Sequence, residues 1–468
     1  MSSDLKQENG YKLVDNNNIN DVKPIKGKGG LRLREFKVRE SIMRTLLEGN
    51  PHVQSMAAFA SAALWFHFII LILFNQEQFR KDLTFLHWAL IRHFDIFLLI
   101  WFQMFAQYIA FYFIAKQYIE KTIPGILVLG AVFATFGMSC LSIHYFSLAQ
   151  HLSNPLKTAL QVEHVRITLK ILAFASDASK KVATTSSQSD SKDHPEQRIC
   201  SLRHYIYYFF APVLVYRDFY PKSNYPRNWR RIGLCALHFV GCMYMILICL
   251  RHMVVNSFSQ IGKVTYSLSD FGTMMLVGYS FGIPIFIGLG YGIIESWSYI
   301  WAEMLSFGDR QFSTDWWTAT NSTDYMRKWN HIVGDWIFEY TYIRIMDWTK
   351  NRTLSALTVY FVSAVLHDYG LYGLLGFFLP LHTIVYPTLA LMGDMYLMII
   401  AKLGLFKDID RMHGNTLFHF LSYFSFCIWV GISSLEYYSR KNCPELLDGS
   451  WAEAFGLTPR FIQCIKLK

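Results

Sequence analysis

Charged residues are scarce in this sequence. Asp, Glu, Lys and Arg make up 17% of the 468 residues, and 53% of the residues are hydrophobic, whereas soluble domains carry about a quarter charged residues. This shortage argues against a soluble globule and favours a polytopic membrane protein. The net charge of +10 fits positively charged cytoplasmic loops better than a nucleic-acid surface, so no nucleic-acid partner is expected.

Cysteine motifs are missing as well. The eight cysteines form no CxxC pair and no Cys/His metal spacing, which excludes the common zinc and redox motifs, and no metal or cofactor is expected. The sequence also has no P-loop, GxSxG or HExxH motif. Most cysteines lie in apolar runs, but Cys443 and Cys464 follow the last run and could form a disulfide if the C-terminal tail is lumenal.

Long apolar windows are present instead, and they predict membrane-spanning helices. The eight windows are residues 56–74, 94–114, 126–146, 232–250, 271–294, 354–374, 375–400 and 417–432. The segment 205–215 is apolar but too short to span. The expected fold is therefore an all-α bundle of about nine spans over residues 51–440, with a C-terminal tail at 441–468.

Residues 1–50 are polar and do not read as a secretory signal peptide, so the first span is expected to insert the chain. Eight basic residues between 23 and 44 precede it and predict a cytosolic, partly disordered N-terminal tail. A serine-rich stretch at 176–198 reads as a polar loop.

Ionisable side chains inside a span are expensive and are candidate functional residues. His367 and His382 qualify, and Ser363 shares a helix face with His367. Asp368 does not, because neighbours in a helix point about 100° apart. Either histidine could equally be a structural residue satisfied by a neighbouring helix, and the physics of the sequence does not choose between them.

A polar stretch at residues 312–336, "FSTDWWTATNSTDYMRKWNHIVGDW", interrupts the apolar pattern. Its four tryptophans are typical of an amphipathic helix at the membrane interface. The alternative is a polar ligand site at the membrane surface, where Arg327, Lys350 and Arg352 could hold phosphates.

Several motifs in order resemble the sterol O-acyltransferases of the membrane-bound O-acyltransferase superfamily. They are "WAEMLSFGDRQFSTDWWTATNSTDYMRKWNHIVGDWIFEYTY" at 301–342, "SAVLHDYGL" at 363–371, "FFAPVLVYRDFYPK" at 209–222 and "YYSRKNCP" near the end. The resemblance implies transfer of a long-chain acyl group from acyl-CoA to the 3-hydroxyl of a sterol in the endoplasmic reticulum membrane, giving a sterol ester for storage. It also implies a homo-oligomer, a dimer or tetramer.

The resemblance places the catalytic histidine on His367 and the active-site asparagine on Asn330. The acyl-CoA contacts of the family fall on Asp324, Arg327, Asn330, Gly334, Tyr342, Arg352 and Ser363. The family has asparagine at the position of Asp324 and histidine at that of Gly334. A carboxylate repels phosphate and glycine has no side chain, so contact at these two positions is in doubt. At Arg352 the family has lysine, and arginine still binds phosphate.

The motif that the family writes "FYxDWWN" reads "FSTDWWT" here. Ser313 and Thr318 replace a tyrosine and an asparagine, whereas four motif residues remain, namely Phe312, Asp315, Trp316 and Trp317. We expect the local fold to persist with some loss of hydrogen bonding.

His367 is expected to act as the base and Asn330 to polarise the thioester or orient acyl-CoA. Alternative functions are acylation of diacylglycerol, of a long-chain alcohol or of a lumenal protein, and non-catalytic lipid transport or binding. The sequon at Asn321 is expected to stay unmodified, since the stretch is predicted to be cytosolic.

Overall fold

Six helical stretches of the computed structural model are long and apolar enough to cross a membrane, counted over the residues that it describes: 33–149, 151–187, 200–384, 411–446, 449–454 and 456–468. They are Gln76–Ile119, Gly125–Phe146, Trp229–Phe258, Leu268–Met304, Arg352–Leu375 and Gly414–Asn442. Each contains one predicted window, so six of the eight windows are confirmed. The window 56–74 lies in a further helix, Pro51–Phe74, and most of the window 375–400 lies outside the described residues.

The helices up to the middle of the chain are α1 Ile42–Gly49, α2 Pro51–Phe74, α3 Gln76–Leu86, α4 Phe94–Ile119, α5 Gly125–Ala149, α6 Asn154–Ser187, α7 Leu202–Phe210 and α8 Trp229–Cys249. Those that follow are α9 Asn256–Phe258, α10 Leu268–Ser280, α11 Gly282–Ile287, α12 Ser298–Met304, α13 Ser322–Trp329, α14 His331–Ile337, α15 Ile343–Thr349, α16 Arg352–Leu375, α17 Arg411–Asn442, α18 Trp451–Ala454 and α19 Phe461–Cys464.

Wider, π-helical turns continue several of these helices, at His87–Ile91, Leu250–Val255, Gly288–Trp297 and Phe338–Tyr342. Two short 3₁₀ turns lie at Trp316–Thr318 and Pro444–Leu446. Residues 37–468 form one compact unit, and of the residues before it the structure describes only 33–36.

Helix α6 is the element that the sequence reading missed. It has 34 residues and packs against α4, α5 and α16. Its polar side chains find partners inside the protein: the Lys170 ammonium is buried and donates to the carbonyl oxygens of Tyr208 and Ala211 at 2.5 and 2.9 Å. Lys170 lowers the apolar signal of the helix although its charge is buried. The prediction of a loop at 176–198 is wrong for residues 176–187, which are helical.

One end of the bundle gathers the segments before α1, after α7 and after α12. The Arg39 amide donates to the Gly308 carbonyl at 2.9 Å, and the Arg310 amide donates back to the Arg39 carbonyl at 2.8 Å. The Gly308 amide donates to the carbonyl of Pro221 at 2.8 Å. Residues 37–39 of the predicted tail therefore pack against the segment that leads into the tryptophan-rich stretch.

The other end carries the C-terminal tail and a disulfide between Cys443 and Cys464. Asn442 donates to the Ser259 and Ile261 carbonyl oxygens at 3.0 and 2.7 Å. Strand β1, Thr265–Tyr266, pairs in parallel with β2, Lys466–Leu467. Gly262 lies against both disulfide sulfurs with φ +78°, where a Cβ would come within 2.5 Å of each. The tail is thus held to the loop that follows α9.

Candidate functional site

His367 lies on α16, where Asn351 caps the helix by accepting the Leu354 amide at 3.0 Å. The Nδ1 atom of His367 is 2.7 Å from the Ser363 carbonyl oxygen. A carbonyl only accepts, so Nδ1 carries the ring proton and Nε2 of the neutral imidazole keeps its lone pair. The side chain is exposed, and Nε2 has no hydrogen-bond partner among the described residues. One histidine nitrogen is therefore fixed and the other is available as a base.

His382 and Asp368 form a separate pair. The Asp368 side chain is fully buried, and its Oδ1 accepts the backbone amide and Nδ1–H of His382 at 2.8 and 3.0 Å. Its Oδ2 accepts the amide and hydroxyl of Thr383 at 2.9 and 2.6 Å. The rings of His367 and His382 are 5.1 Å apart. Asp368 thus anchors the chain after α16, and His382 is engaged in that anchor while His367 is not.

Residues 312–336 form a wall of two short helices, α13 and α14, with Asn330 between them. Asn330 caps α14, since its Oδ1 accepts the Val333 amide at 3.3 Å. Asn321 caps α13 in the same way, accepting the Asp324 amide at 2.9 Å. In the part of the chain that the structure describes, no group accepts from the Asn330 side-chain amide. The cap therefore orients this side chain by its oxygen and leaves its N–H groups free to donate.

Lys328 contacts both residues that depart from the family motif in this part of the wall, Thr318 and Asp324. Its Nζ is 3.0 Å from the Asp324 carboxylate, 3.5 Å from that of Asp315 and 3.2 Å from the Thr318 hydroxyl. The Thr318 hydroxyl donates to Asp315 Oδ2 at 2.8 Å. Partial burial acts to raise the pKa of Asp315, but this hydroxyl and the nearby ammonium outweigh it and lower the pKa. Arg327, beside this cluster, is exposed and has no carboxylate partner among the described residues.

Three tryptophans of the wall, Trp316, Trp329 and Trp336, contact other parts of the bundle, and of these Trp336 is buried while the other two are half-buried. Trp316 and Trp329 meet edge to face at 4.8 Å, and Phe286 stacks on Trp329 at 4.6 Å. Trp336 is buried and donates its Nε1–H to the Leu169 carbonyl at 2.9 Å. The rings therefore fasten the wall to the spans around it.

Ser313 completes a buried polar cluster. Its hydroxyl donates to Oε1 of Glu295 at 2.5 Å, and the Ser41 hydroxyl donates to Oε2 at 2.7 Å. All three residues are buried. The carboxylate inside the span is satisfied by one donor from the wall and one from the N-terminal arm, so Ser313 has a local role where the family pattern has a tyrosine.

The other residues predicted to contact acyl-CoA are Gly334, Tyr342, Arg352 and Ser363. Gly334 donates its amide to the Asn330 carbonyl at 2.9 Å, and a Cβ on it would meet no atom within 4 Å. Tyr342 stacks on Phe338 at 5.4 Å. Arg352, at the start of α16, is exposed, and Ser363 lies one turn before His367.

The turn Phe338–Tyr342 packs against α16, which joins the wall to the helix of His367. No hydrogen bond or ring contact links Asn330 directly to His367 within the described ranges. The two side chains are therefore linked only through this turn, and among the described residues they do not form a bonded dyad.

Arg217 forms an ion pair beside the candidate site that the sequence did not indicate. Its guanidinium holds both carboxylate oxygens of Glu339, at 3.1 and 2.7 Å. Arg217 comes from the "YRDFYP" motif and Glu339 from the turn that carries Tyr342. The only signal in the sequence was the presence of both residues in quoted motifs, which did not reveal that they pair.

The comparison with known families decides the class. The model of the membrane-bound O-acyltransferase family, MBOAT, matches residues 55–395. The chain belongs to the MBOAT family. The match includes both His367 and Asn330, and together with the apolar helices it makes this chain a multi-pass helical membrane protein.

Curated relatives of this MBOAT chain include sterol O-acyltransferase 1 of the mouse, Mus musculus, 27% identical over 355 residues that cover 74% of this chain and 63% of the relative. Sterol O-acyltransferase 2 of Homo sapiens is 29% identical over 270 residues, 56% of this chain and 49% of the relative. Sterol O-acyltransferase 1 of Rattus norvegicus is 26% identical over 75% of this chain and 64% of the relative. The chain spans between about half and two thirds of the length of these relatives.

Replacing Ser313 by alanine should destabilise this MBOAT chain by about 1–3 kcal/mol, because it leaves one oxygen of the buried Glu295 carboxylate without a donor. The check is thermal unfolding of the detergent-purified full chain. Gly334→Ala is the matched control in the same wall. Its Cβ meets open space, and the change should be neutral or stabilise the chain by up to about 1 kcal/mol. Equal melting temperatures for Ser313→Ala and the unmodified protein would contradict this role of the serine.

Proposed function

We propose that this protein transfers a long-chain acyl group from acyl-CoA to a lipid alcohol, and that the alcohol is the 3-hydroxyl of a sterol. The observation that carries the proposal is His367, an accessible imidazole in an apolar helix whose Nδ1–H is held by the Ser363 carbonyl. Family membership supports the acyl transfer. The names of the relatives support the sterol.

The reaction needs a base for a hydroxyl that holds its proton tightly. Nε2 of His367 takes that proton while the alcohol oxygen bonds to the thioester carbonyl carbon. The carbon–sulfur bond then breaks, and the leaving CoA thiolate takes the proton from the imidazolium. No cysteine contacts His367 in the described part of the chain, so direct transfer without an acyl-enzyme is the simplest route, and it uses no cofactor beyond the acyl-CoA co-substrate.

Asn330 supplies the charge stabilisation. Its free amide N–H groups suit the oxyanion that develops on the thioester oxygen, and the cap to Val333 keeps them oriented before substrate arrives. Arg327 and Arg352 are exposed cations for the CoA phosphates. Asp324 is already paired with Lys328, so it adds little repulsion, and Gly334 leaves open space instead of a contact.

The two ends of the bundle suit opposite compartments. Disulfides persist in oxidising compartments, so the end with Cys443–Cys464 is assigned to the lumen of the endoplasmic reticulum. The opposite end, with residues 37–50 and the wall, then faces the cytosol, where acyl-CoA enters. The sterol reaches His367 laterally from the bilayer. A homo-oligomer is retained as part of the proposal because the family resemblance implies it.

An acceptor panel tests the substrate. Purified protein is given one labelled long-chain acyl-CoA with a sterol, diacylglycerol or a long-chain alcohol, and lipid product and free CoA are measured. We expect the sterol ester to form fastest. Faster acylation of diacylglycerol or the alcohol would replace the sterol by that acceptor, and absence of CoA release with every acceptor would indicate a transporter or binder.

His367→Ala should lower the rate in the same assay by about two to four orders of magnitude, because it removes the proposed base. His382→Asn is the matched control: an asparagine keeps a donor for Asp368, so the rate per folded molecule should stay within about threefold of the original, since no proton-transfer group is lost. Near-normal ester formation by a stably expressed His367→Ala protein would remove His367 as the base.

Asn330→Asp separates capping from catalysis, because aspartate caps a helix as well as asparagine does but lacks the N–H donors. We expect unchanged thermal stability and a loss of about two to three orders of magnitude in turnover. Asn321→Asp is the control, since it makes the same change at the cap of α13 and should leave most of the turnover. A similar loss in both variants would show that the added charge, and not the missing donor, is responsible.

A further inference from the structure

A basic pocket at the disulfide-bearing end has no part in the proposed reaction. It has a volume of about 1030 Å³ and is lined by α3, by the turn His87–Ile91 and by the turn Leu250–Val255. Its cationic side chains are Arg80, Lys81, Arg92 and Arg251. The pocket therefore concentrates positive charge in a membrane protein whose charged residues are few.

The contacts of the pocket place it at that end. The Ser153 hydroxyl, in the connection before α6, donates to the Ala89 carbonyl at 2.7 Å. Arg251 lies in the turn that continues into α9, and α9 leads to the Ser259 carbonyl that Asn442 holds, next to Cys443. The pocket is thus on the opposite end of the bundle from the wall and Asn330, and it is separate from the acyl-CoA site proposed above.

Arg251 is held in place by a buried carboxylate. Asp82 is 1% exposed and pairs with the Arg251 guanidinium. The same Oδ1 accepts from Gln78 at 3.0 Å and lies 3.1 Å from His252 Nε2. The Asp82 carboxylate compensates the charge of Arg251, and the pair fixes α3 against the turn that follows α8.

Arg80 and Arg92 differ from the other cations. Lys81 is paired with Glu77 at 2.6 Å, whereas neither Arg80 nor Arg92 has a carboxylate partner in the described residues. Within the described ranges Arg92 bonds through Nε alone, which donates to His93 Nε2 at 3.2 Å, and its terminal nitrogens have no partner there. Two guanidinium groups with free donors can bind a phosphate bidentately.

The surroundings of the pocket are apolar. Trp88 lines it and is 37% exposed, and Leu83 and Ile91, from the same helix and turn, are 48% and 62% exposed. Tryptophan is typical of the depth at which lipid headgroups lie. A soluble anion would gain nothing from these side chains, whereas a phospholipid would cover them with its acyl chains.

We propose that this pocket binds the phosphate of an anionic phospholipid headgroup through Arg80 and Arg92, with the lipid chains lying over Trp88 and Ile91. Asp82 holds Arg251 and the pocket walls in position. The site is independent of the proposed acyl transfer.

Native mass spectrometry of the detergent-purified full chain tests the proposal, with phosphatidic acid and phosphatidylcholine offered in equal amounts. Phosphatidic acid should be retained preferentially, since the choline cation of the other lipid opposes the pocket charge. Arg80→Gln/Arg92→Gln should weaken its binding at least about tenfold, because hydrogen bonds to charged groups are lost. Arg80→Lys/Arg92→Lys keeps the positive charge but removes the planar guanidinium groups that bind phosphate bidentately, so it should bind with intermediate affinity.

Lys263→Gln/Lys466→Gln is the control, because both lysines are exposed at the same end, outside the pocket, and the change removes the same charge. It should bind phosphatidic acid as the original protein does. Displacement of the lipid by millimolar inorganic phosphate would show a site for soluble phosphate and overturn the lipid assignment. Unchanged binding in Arg80→Gln/Arg92→Gln would overturn the site itself, and equal melting temperatures show that the variants are folded.

Discussion

A polar atom inside a membrane-spanning bundle must be bonded within the protein, because lipid offers neither donors nor acceptors. The rest of this structure depends on that constraint. Asp368 is satisfied by four donors from His382 and Thr383, and Glu295 by two serine hydroxyls. Glu295 joins the N-terminal arm to the wall, and Asp368 holds the segment that directly follows its own helix, so the buried carboxylates fix how helices and their connections are arranged.

The candidate site consists of groups that this constraint leaves half satisfied. Among the described residues, His367 bonds through Nδ1 and not through Nε2, and Asn330 bonds through its side-chain oxygen and not through its amide hydrogens. In both residues one atom sets the orientation and the other is available for chemistry. Such partial bonding costs stability in a bundle of this kind, and it is what the proposed acyl transfer would require of these two side chains before substrate arrives.

The departures from the family motif are compensated locally. Thr318 and Asp324 join Lys328 and Asp315 in one cluster of ion pairs and hydrogen bonds, so the carboxylate at 324 does not face the site as an uncompensated charge. Ser313 serves Glu295. These substitutions change which polar groups meet within the wall, while the aromatic packing of Trp316 and Trp329 stays in place.

The sequence by itself determined the all-α membrane class and six of the spans, because a run of about 20 apolar residues has few alternatives to a helix in lipid. It did not reveal α6, because Lys170 reduces the apolar character of that stretch. The ammonium is bonded by carbonyl oxygens of a segment about 40 residues away, which the local sequence does not show. Apolar patterning also made His367 and His382 equal candidates for the functional histidine, and only the family motif favoured His367. The tertiary structure decided which histidine Asp368 engages, that Arg217 reaches Glu339 and that Trp336 bonds to the Leu169 carbonyl. Each depends on how the chain returns on itself, and the last two join residues more than a hundred positions apart, which a local sequence pattern does not encode.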